Sequence, residues 1–126
     1  MGQEAEARGR RAVTEQELRR IYTTAAAHIR DNYAEDLTVG AVARVAWTSP
    51  RQLQRAFEAI GDTTFRAYVR GVRMDIAREA IEGSPHISIR EVGLSVGYRQ
   101  AAQFTKAFRS RHGMNPSALR SGRLAS

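Results

Sequence analysis

The stretch that decides the fold is AWTSPRQLQRAF, residues 46–57, because it contains the clearest helix start in the chain. Ser49 is a favoured N-cap residue, Pro50 suits the first helical position, and Gln52 completes a capping box with the serine. The apolar residues that follow recur at helical spacing: Leu53, Ala56, Phe57 and Ile60. We predict a short helix over about residues 49–60, which is marginal in isolation and must pack against neighbouring elements.

The pattern around this helix occurs twice. TVGAVARVAWTSPRQLQRAF and SIREVGLSVGYRQAAQFTKAF each contain a capping residue, a short helix, a turn and a second helix ending in Ala-Phe. A small residue, Ala43 or Gly93, stands where the two helices of each copy would cross. Such a pair is typical of a helix-turn-helix, whose DNA-binding form places the second helix in the major groove. For one copy alone, a helical hairpin that only packs is the favoured interpretation, and the second copy argues against it.

The rest of the chain is also predicted to be helical. Thr14 begins a capping box and an amphipathic helix to about Asn32, and Asn115-Pro116 opens a last short helix. No alternating run or hairpin turn indicates a strand. We predict an all-α fold of about seven helices, with two helix-turn-helix subdomains joined by a long linker helix. The expected boundaries are a flexible tail at 1–13, the first subdomain at 14–62, the linker helix at 63–83 and the second subdomain at 84–126.

The composition excludes several classes of function. The 126 residues suffice for one domain or two very small ones, and they include no cysteine and only three histidines. Disulfides, thiolate catalysis and cysteine-based zinc sites are therefore excluded, and the histidines lack metal-ligand spacing. We predict no enzyme, no metal and no cofactor. No run is apolar enough for a membrane span or a secretory signal, which predicts a cytoplasmic protein without a membrane partner.

The charge distribution favours a polyanionic partner. The formal net charge is +7 and the pI about 10.9. Residues 37–57 contain three arginines and no acid, and residues 92–126 contain six cations and no acid. These two basic blocks coincide with the two predicted helix-turn-helix units, so double-stranded DNA is the predicted partner.

The first recognition helix, about 49–60, is predicted to read bases. On a helical wheel Arg51, Gln54 and Arg55 oppose the apolar face, and Gln52 lies on its flank. Arginine can bind guanine O6 and N7 bidentately, and glutamine can bind adenine N6 and N7. A merely solvated face is the alternative, but it would contain more glutamate–lysine pairs than the single Glu58 provides.

The second recognition helix, about 100–111, is expected to contribute less to sequence specificity. Ala101 and Ala102 can contact only thymine methyl groups, whereas Lys106 and Arg109 suit phosphate contacts. The candidate base-reading residues of this helix are Ala102, Gln103, Thr105 and Lys106. The candidate phosphate contacts of both units are Ser49, Arg99, Gln100 and Arg109.

The predicted linker helix is about as long as one turn of DNA. At 1.5 Å per residue, about 20 residues span roughly 30 Å, close to the roughly 34 Å of one DNA turn. We therefore expect a single monomer to place its two recognition helices in successive major grooves.

The segments SPRQLQRAFEAIGDTTFRAYVRGVRMDIAREAI and ISIREVGLSVGYRQAAQFTKAFRSRHGMNPSALR resemble the DNA-binding domain of the AraC/XylS family of bacterial transcription regulators. The resemblance covers about residues 37–120. It implies promoter binding by two helix-turn-helix units and, usually, activation through contact with RNA polymerase. The alternative is a helical module that docks on the transcription machinery without contacting DNA. The family's recognition positions fall on Arg51, Gln52, Gln54 and Arg55, and on Ala101, Ala102, Gln103, Thr105 and Lys106.

The chain departs from the family pattern at two glycines and in length. Trp47 stands where the first turn normally has glycine. We expect it to pack against the first helix; the alternatives are a contact along the DNA backbone and a turn shaped differently from the one at Gly97. Asp62 stands where a glycine is usual, and Gly61 precedes it. Many members carry a further sensor domain, so a small regulator and a C-terminal fragment both stay open, and we expect no effector site here. The operator, the regulated genes and any inducer are beyond prediction.

Overall fold

The computed structural model describes the backbone of residues 13–125 and the side chains of residues 13–122. The predicted tail therefore lies outside the described residues except for Val13. The described part contains seven helices and no strand, which confirms the predicted all-α fold. No described helix combines the length and the hydropathy needed to cross a membrane. The helices are α1 Glu15–Asp31, α2 Val39–Val45, α3 Pro50–Ala59, α4 Phe65–Gly83, α5 Ile89–Ser95, α6 Ala101–His112 and α7 Pro116–Ala125.

The chain folds into two compact units. The first unit combines the chain up to His28 with Thr38–Phe65, and it contains α2, α3 and most of α1. The second combines Ile29–Leu37 with Arg66–Ser126, and it contains α5, α6, α7 and all but the first residue of α4. Each unit thus holds one copy of the predicted helix-turn-helix.

Phe57 is the centre of the first unit's core. Its side chain is fully buried, and its ring meets Tyr22 and Phe65 edge-on, with centroid separations of 5.1 and 5.7 Å. The small and aliphatic residues of all three helices are buried around it: Leu18, Ile21, Ala25, Val42, Ala43, Ala46, Leu53 and Ala56. Three residues of the stripe predicted from the sequence, Leu53, Ala56 and Phe57, therefore form the buried face of α3, whereas Ile60 is half-buried at the C-cap.

The second unit has the same arrangement with a larger aromatic core. Phe104 and Phe108 of α6 are buried with their ring centroids 5.9 Å apart. A Cβ atom on Gly93 of α5 would lie 3.1 Å from the Phe104 ring, so a larger residue there would require the ring to move by a few tenths of an ångström. The first copy has Ala43 and the smaller Leu53 at the equivalent positions. The copy with the larger side chain on the second helix, Phe104, therefore has the smaller residue, Gly93, on the first helix.

Arg73 of α4 binds the segment that follows α1. Its Nε and Nη2 atoms donate to the backbone carbonyls of Tyr33 and Glu35, each at 2.7 Å. Arg30 also donates to the Tyr68 hydroxyl at 2.8 Å. These bonds explain why residues 29–37 belong to the second unit, although α1 begins in the first.

The turn of the first helix-turn-helix has a left-handed residue that is not glycine. Trp47 has φ 55°, and its N–H donates to the Arg44 carbonyl at 3.1 Å. The Thr48 N–H donates to the Ala43 carbonyl at 3.0 Å. For a residue with a side chain, the left-handed conformation costs about 1–2 kcal/mol.

The second turn has the same hydrogen bonds with glycine in that place. Gly97 has φ 93°, its N–H donates to the Leu94 carbonyl at 3.1 Å, and Tyr98 N–H donates to Gly93 at 2.9 Å. The two turns therefore begin with the same hydrogen bonds, although the second turn is one residue longer before its next helix starts. The expectation that Trp47 packs against the first helix is wrong, because its side chain is 88% exposed.

At the end of α3, one residue has a left-handed backbone and the residue before it is in close contact with its neighbours. Asp62 has the positive φ, 52°, whereas Gly61 is not left-handed. Gly61 is instead required for space: a Cβ atom there would lie 2.6 Å from a Tyr22 ring carbon and 2.9 Å from the Phe57 carbonyl oxygen. The glycine thus stands at position 61, where space is limited, and Asp62 adopts the left-handed conformation at the position where a glycine was expected.

In the second unit, the C-terminal end of α6 is attached to α4 by an ion pair. Arg111 donates from Nε to Asp75 Oδ1 at 3.1 Å and from Nη2 to Oδ2 at 2.8 Å. These hydrogen bonds hold the pKa of Asp75 below its ordinary value. His112 adds a contact between its Nε2 atom and the Met74 carbonyl oxygen at 3.0 Å.

We predict that Gly61→Ala destabilises the first unit by about 1–3 kcal/mol, because the Tyr22 ring or the Phe57 backbone must move to admit the methyl group. Asp62→Gly is the control, since glycine adopts φ 52° without cost and stability should be unchanged or higher. Urea unfolding of both variants measures this. Equal stability of Gly61→Ala and the parent chain would contradict the packing described.

We also predict a pH-dependent effect of Asp75→Asn. The pKa of Asp75 is lowered in the folded state, so its contribution to the free energy of unfolding is present above the ordinary pKa of about 4. It is lost as the pH falls through the lower, folded pKa. Thermal unfolding across this range should show a stability gap between parent and variant that closes in acid. Glu79→Gln, an exposed carboxylate of α4, is the charge control, and a gap of constant size would contradict the ion pair.

Candidate nucleic-acid interface

The orientation of α3 follows from its first residues and its buried stripe. The Ser49 side chain accepts a hydrogen bond from the Gln52 N–H at 3.1 Å, and Pro50 is the first helical residue. The predicted N-cap and first-turn proline are confirmed. The predicted capping box is only half formed, because the Gln52 Oε1 atom does not accept a hydrogen bond from the Ser49 N–H or from any other described residue. Leu53 and Phe57 are fully buried, so side chains on the opposite side of the helix point to solvent.

Three of the four base-reading candidates of α3 lie on that solvent face. Arg51, Gln54 and Arg55 are all exposed. None of their side chains makes an ion pair or hydrogen bond with another residue in the described part of the chain. One amide and two guanidinium groups are therefore available together for an external partner.

Gln52 is placed differently from these three. Its side chain is half-buried, and its Oε1 atom is buried with no hydrogen-bond partner among the described residues. A glutamine that binds adenine bidentately must present both its oxygen and its NH₂ group. In this conformation Gln52 does not do so, and contact with a base would require a different rotamer.

The second recognition helix has a flatter polar face. Phe104 and Phe108 are buried, and the exposed side chains on the other side are short near the N-terminus. The residues Ala101, Ala102, Thr105, Lys106, Arg109 and Ser110 line one open depression of about 610 Å³. Gln103 is exposed and Thr105 half-buried. Because two alanines form the N-terminal end of this surface, a partner can approach the helix backbone closely there.

The four phosphate-contact candidates are all exposed. Ser49 accepts the capping bond through its oxygen, which leaves its O–H free to donate. Gln100 is the N-cap residue of α6, and its side chain makes no capping hydrogen bond. Arg99 and Arg109 have no ion-pair partner among the described residues.

The arginines within residues 13–122 fall into two groups. One group is used by the fold: Arg20 donates to the Ala46 carbonyl at 3.1 Å, and Arg73 and Arg111 make the bonds described above. Arg120 likewise donates to the carbonyls of Ile87 and Ser84. The cations of the candidate interface are all in the other group, which is exposed and unpartnered within the described residues: Arg51, Arg55, Arg99, Lys106 and Arg109.

Further exposed cations were not selected from the sequence. Arg44, Arg66, Arg70 and Arg90 are exposed and have no partner in the part of the chain that the structure describes. Arg44 could have been found from the acid-free block that contains it. Conversely, Arg111 was counted in the second basic block, but its guanidinium is bound to Asp75. No group of three or more metal-ligand side chains occurs within the described residues.

Comparison with known proteins identifies the family. A family model described as a helix-turn-helix domain matches residues 42–122, which is more than half of the chain. The uncharacterized HTH-type transcriptional regulator YpdC of Escherichia coli is 34% identical over 76% of this chain. The transcriptional activator RhrA of Rhizobium meliloti is 40% identical over 63% of this chain. The matched parts are 33% and 25% of those proteins, so the chain spans only a third or less of their length.

A solved structure shows the same fold and the same family. The AraC-type transcriptional regulator from Chromobacterium violaceum superimposes with a TM-score of 0.77 and 26% sequence identity, covering 82% of this chain and 91% of that one. The fold, the doubled helix-turn-helix and the matched sequence agree. This chain belongs to the AraC/XylS family and contains its helix-turn-helix DNA-binding domain.

Proposed function

We propose that this chain is the DNA-binding part of a bacterial transcription regulator and that α3 and α6 enter the major groove of promoter DNA. One observation carries the proposal: in both units the face opposite the aromatic core bears exposed cations that no other described residue neutralises. The names of the relatives support it, since YpdC is described as a transcriptional regulator and RhrA as a transcriptional activator. We assign no catalytic step to the chain.

The first unit supplies most of the sequence specificity. Arg51 and Arg55 bind guanines through paired hydrogen bonds, and Gln54 binds an adenine. Gln52 joins them only if its side chain turns out of its half-buried position. Three polar groups on one face are enough to specify several adjacent base pairs.

The second unit contributes mainly to affinity. Of the four base-reading candidates, Ala102, Gln103 and Thr105 face the bases, and only Gln103 and Thr105 of these three have polar groups. Lys106 binds a phosphate instead. Ser49, Arg99, Gln100 and Arg109 bind phosphates of the two half-sites and fix the register of the protein on the duplex. The half-site bound by α3 is therefore expected to be more strongly constrained in base sequence than the half-site bound by α6.

A single chain carries two recognition helices, so it can bind two half-sites as a monomer. The 19 residues of α4 span about 28 Å, which is close to the roughly 34 Å between successive major grooves. Activation through contact with RNA polymerase, at the nucleoid in the cytoplasm, completes the proposal. It would be a property of the whole regulator to which this domain belongs.

We predict that Arg51→Ala and Arg55→Ala each weaken binding to a duplex selected from random DNA by about 1–3 kcal/mol, or roughly fivefold to 150-fold. Each variant should also relax preference at one or two base pairs, whereas Lys106→Ala should weaken all sequences alike. Arg19→Ala, an exposed arginine of α1, is the charge-matched control. Gel-shift titration measures each affinity. Unchanged binding by both α3 variants would show that Arg51 and Arg55 do not contact the bases. Absence of duplex binding by the parent chain itself would favour a module that docks on the transcription machinery without contacting DNA.

We further predict a steep salt dependence. The logarithm of the association constant should fall with the logarithm of salt concentration by about 0.9 for each phosphate contacted. Arg109→Ala should reduce this slope by about one unit because it removes one such contact. Titrations at four or more salt concentrations give the slopes. A flat dependence for the parent chain would contradict the proposed backbone contacts.

A further inference from the structure

The exposed side chain of Trp47 has no use within the described fold. It is 88% exposed, although tryptophan has the largest apolar surface of any residue. Its indole makes no hydrogen bond or ring contact with another described residue. Gly97 closes the equivalent turn with the same hydrogen bonds, so the turn itself does not require a side chain there. Trp47 thus has a left-handed backbone conformation, although its side chain is almost entirely exposed and contributes little to packing in the first unit.

The backbone that carries this indole is held in place. Ala46, the residue before it, is fully buried, and its carbonyl accepts a hydrogen bond from Arg20 at 3.1 Å. The Trp47 N–H is itself bonded to the Arg44 carbonyl. The side chain therefore projects from an ordered turn and not from a loose loop.

The surroundings of Trp47 in the sequence and the fold favour an anionic occupant. Ser49, two residues on, is the N-cap of α3, and Arg51 lies in the first turn of that helix. Arg44 is exposed three residues before it, without a partner among the described residues. Residues 37–57 contain no acid at all. A partner that covers Trp47 meets these cations at the same time.

We propose that Trp47 is a contact to the DNA backbone beside the half-site bound by α3, an inference that rests on the proposed function of α3. The indole lies against a deoxyribose, and its Nε1–H donates to a phosphate oxygen. Because Trp47 lies in the turn and not on the helix that faces the bases, the contact positions the protein without reading sequence.

The chain provides its own probe, since Trp47 is its only tryptophan. We expect acrylamide to quench its fluorescence efficiently in the free protein and much less in the complex with a duplex selected from random DNA. Trp47→Gly should weaken binding by about threefold to tenfold, to matched and mismatched half-sites alike. Trp47→Phe, which keeps a ring but lacks the N–H, should give a smaller loss.

The unfolding temperature of Trp47→Gly shows whether misfolding could cause a loss of DNA affinity. It installs the residue that the second turn already has, so Trp47→Gly should unfold at an equal or higher temperature than the parent chain. A loss of affinity from a protein at least as stable would support the contact.

Three results would overturn the inference. The first is equal acrylamide quenching in the free protein and in a saturated complex, with DNA binding itself intact. The second is unchanged affinity of Trp47→Gly, and the third is a loss confined to one base sequence, which would indicate base reading. If the parent chain bound no selected duplex in a gel shift, the proposed function of α3 would fail, and this inference with it.

Discussion

Burial of Phe57 in the first unit, and of Phe104 and Phe108 in the second, is the constraint on which the rest of the structure depends. A short helix has one apolar stripe, and once that stripe is buried the direction of every other side chain follows. The aromatic residues of α3 and α6 are buried in the two cores, so the polar residues on the opposite faces of these helices point to solvent. The recognition surface is therefore a consequence of core packing, and residues that never contact DNA orient the ones proposed to do so.

The second organising feature is the division of the arginines. Those that end helices or join segments bind backbone carbonyls and carboxylates, as Arg73 and Arg111 do. On the exposed faces of the recognition helices, Arg51, Arg55 and Arg109 have no side-chain partner among the described residues. A solvated guanidinium keeps its hydrogen-bonding capacity for phosphates or guanines, at no loss to the fold. The same residue type thus serves both the stability of the domain and its proposed binding.

Much of this could be predicted from the sequence because the signals were local. The caps, the repeat and the apolar spacing gave the helices and the outward face of Arg51, Gln54 and Arg55. The exposure of Trp47 and the half-buried position of Gln52 could not be predicted, since both depend on three-dimensional neighbours. The same holds for Arg73, whose bonds reach 40 residues back along the chain.

The central claim is that the packed core aims the polar face of α3 at base edges. Selection of bound sites from random DNA, followed by sequencing, tests it most directly. We predict one enriched motif of two half-sites about one helical turn apart. The half-site bound by α3 should contain conserved guanine and adenine, and the other should be less constrained. Recovery of no motif, or of one constrained only in the half-site bound by α6, would contradict the account.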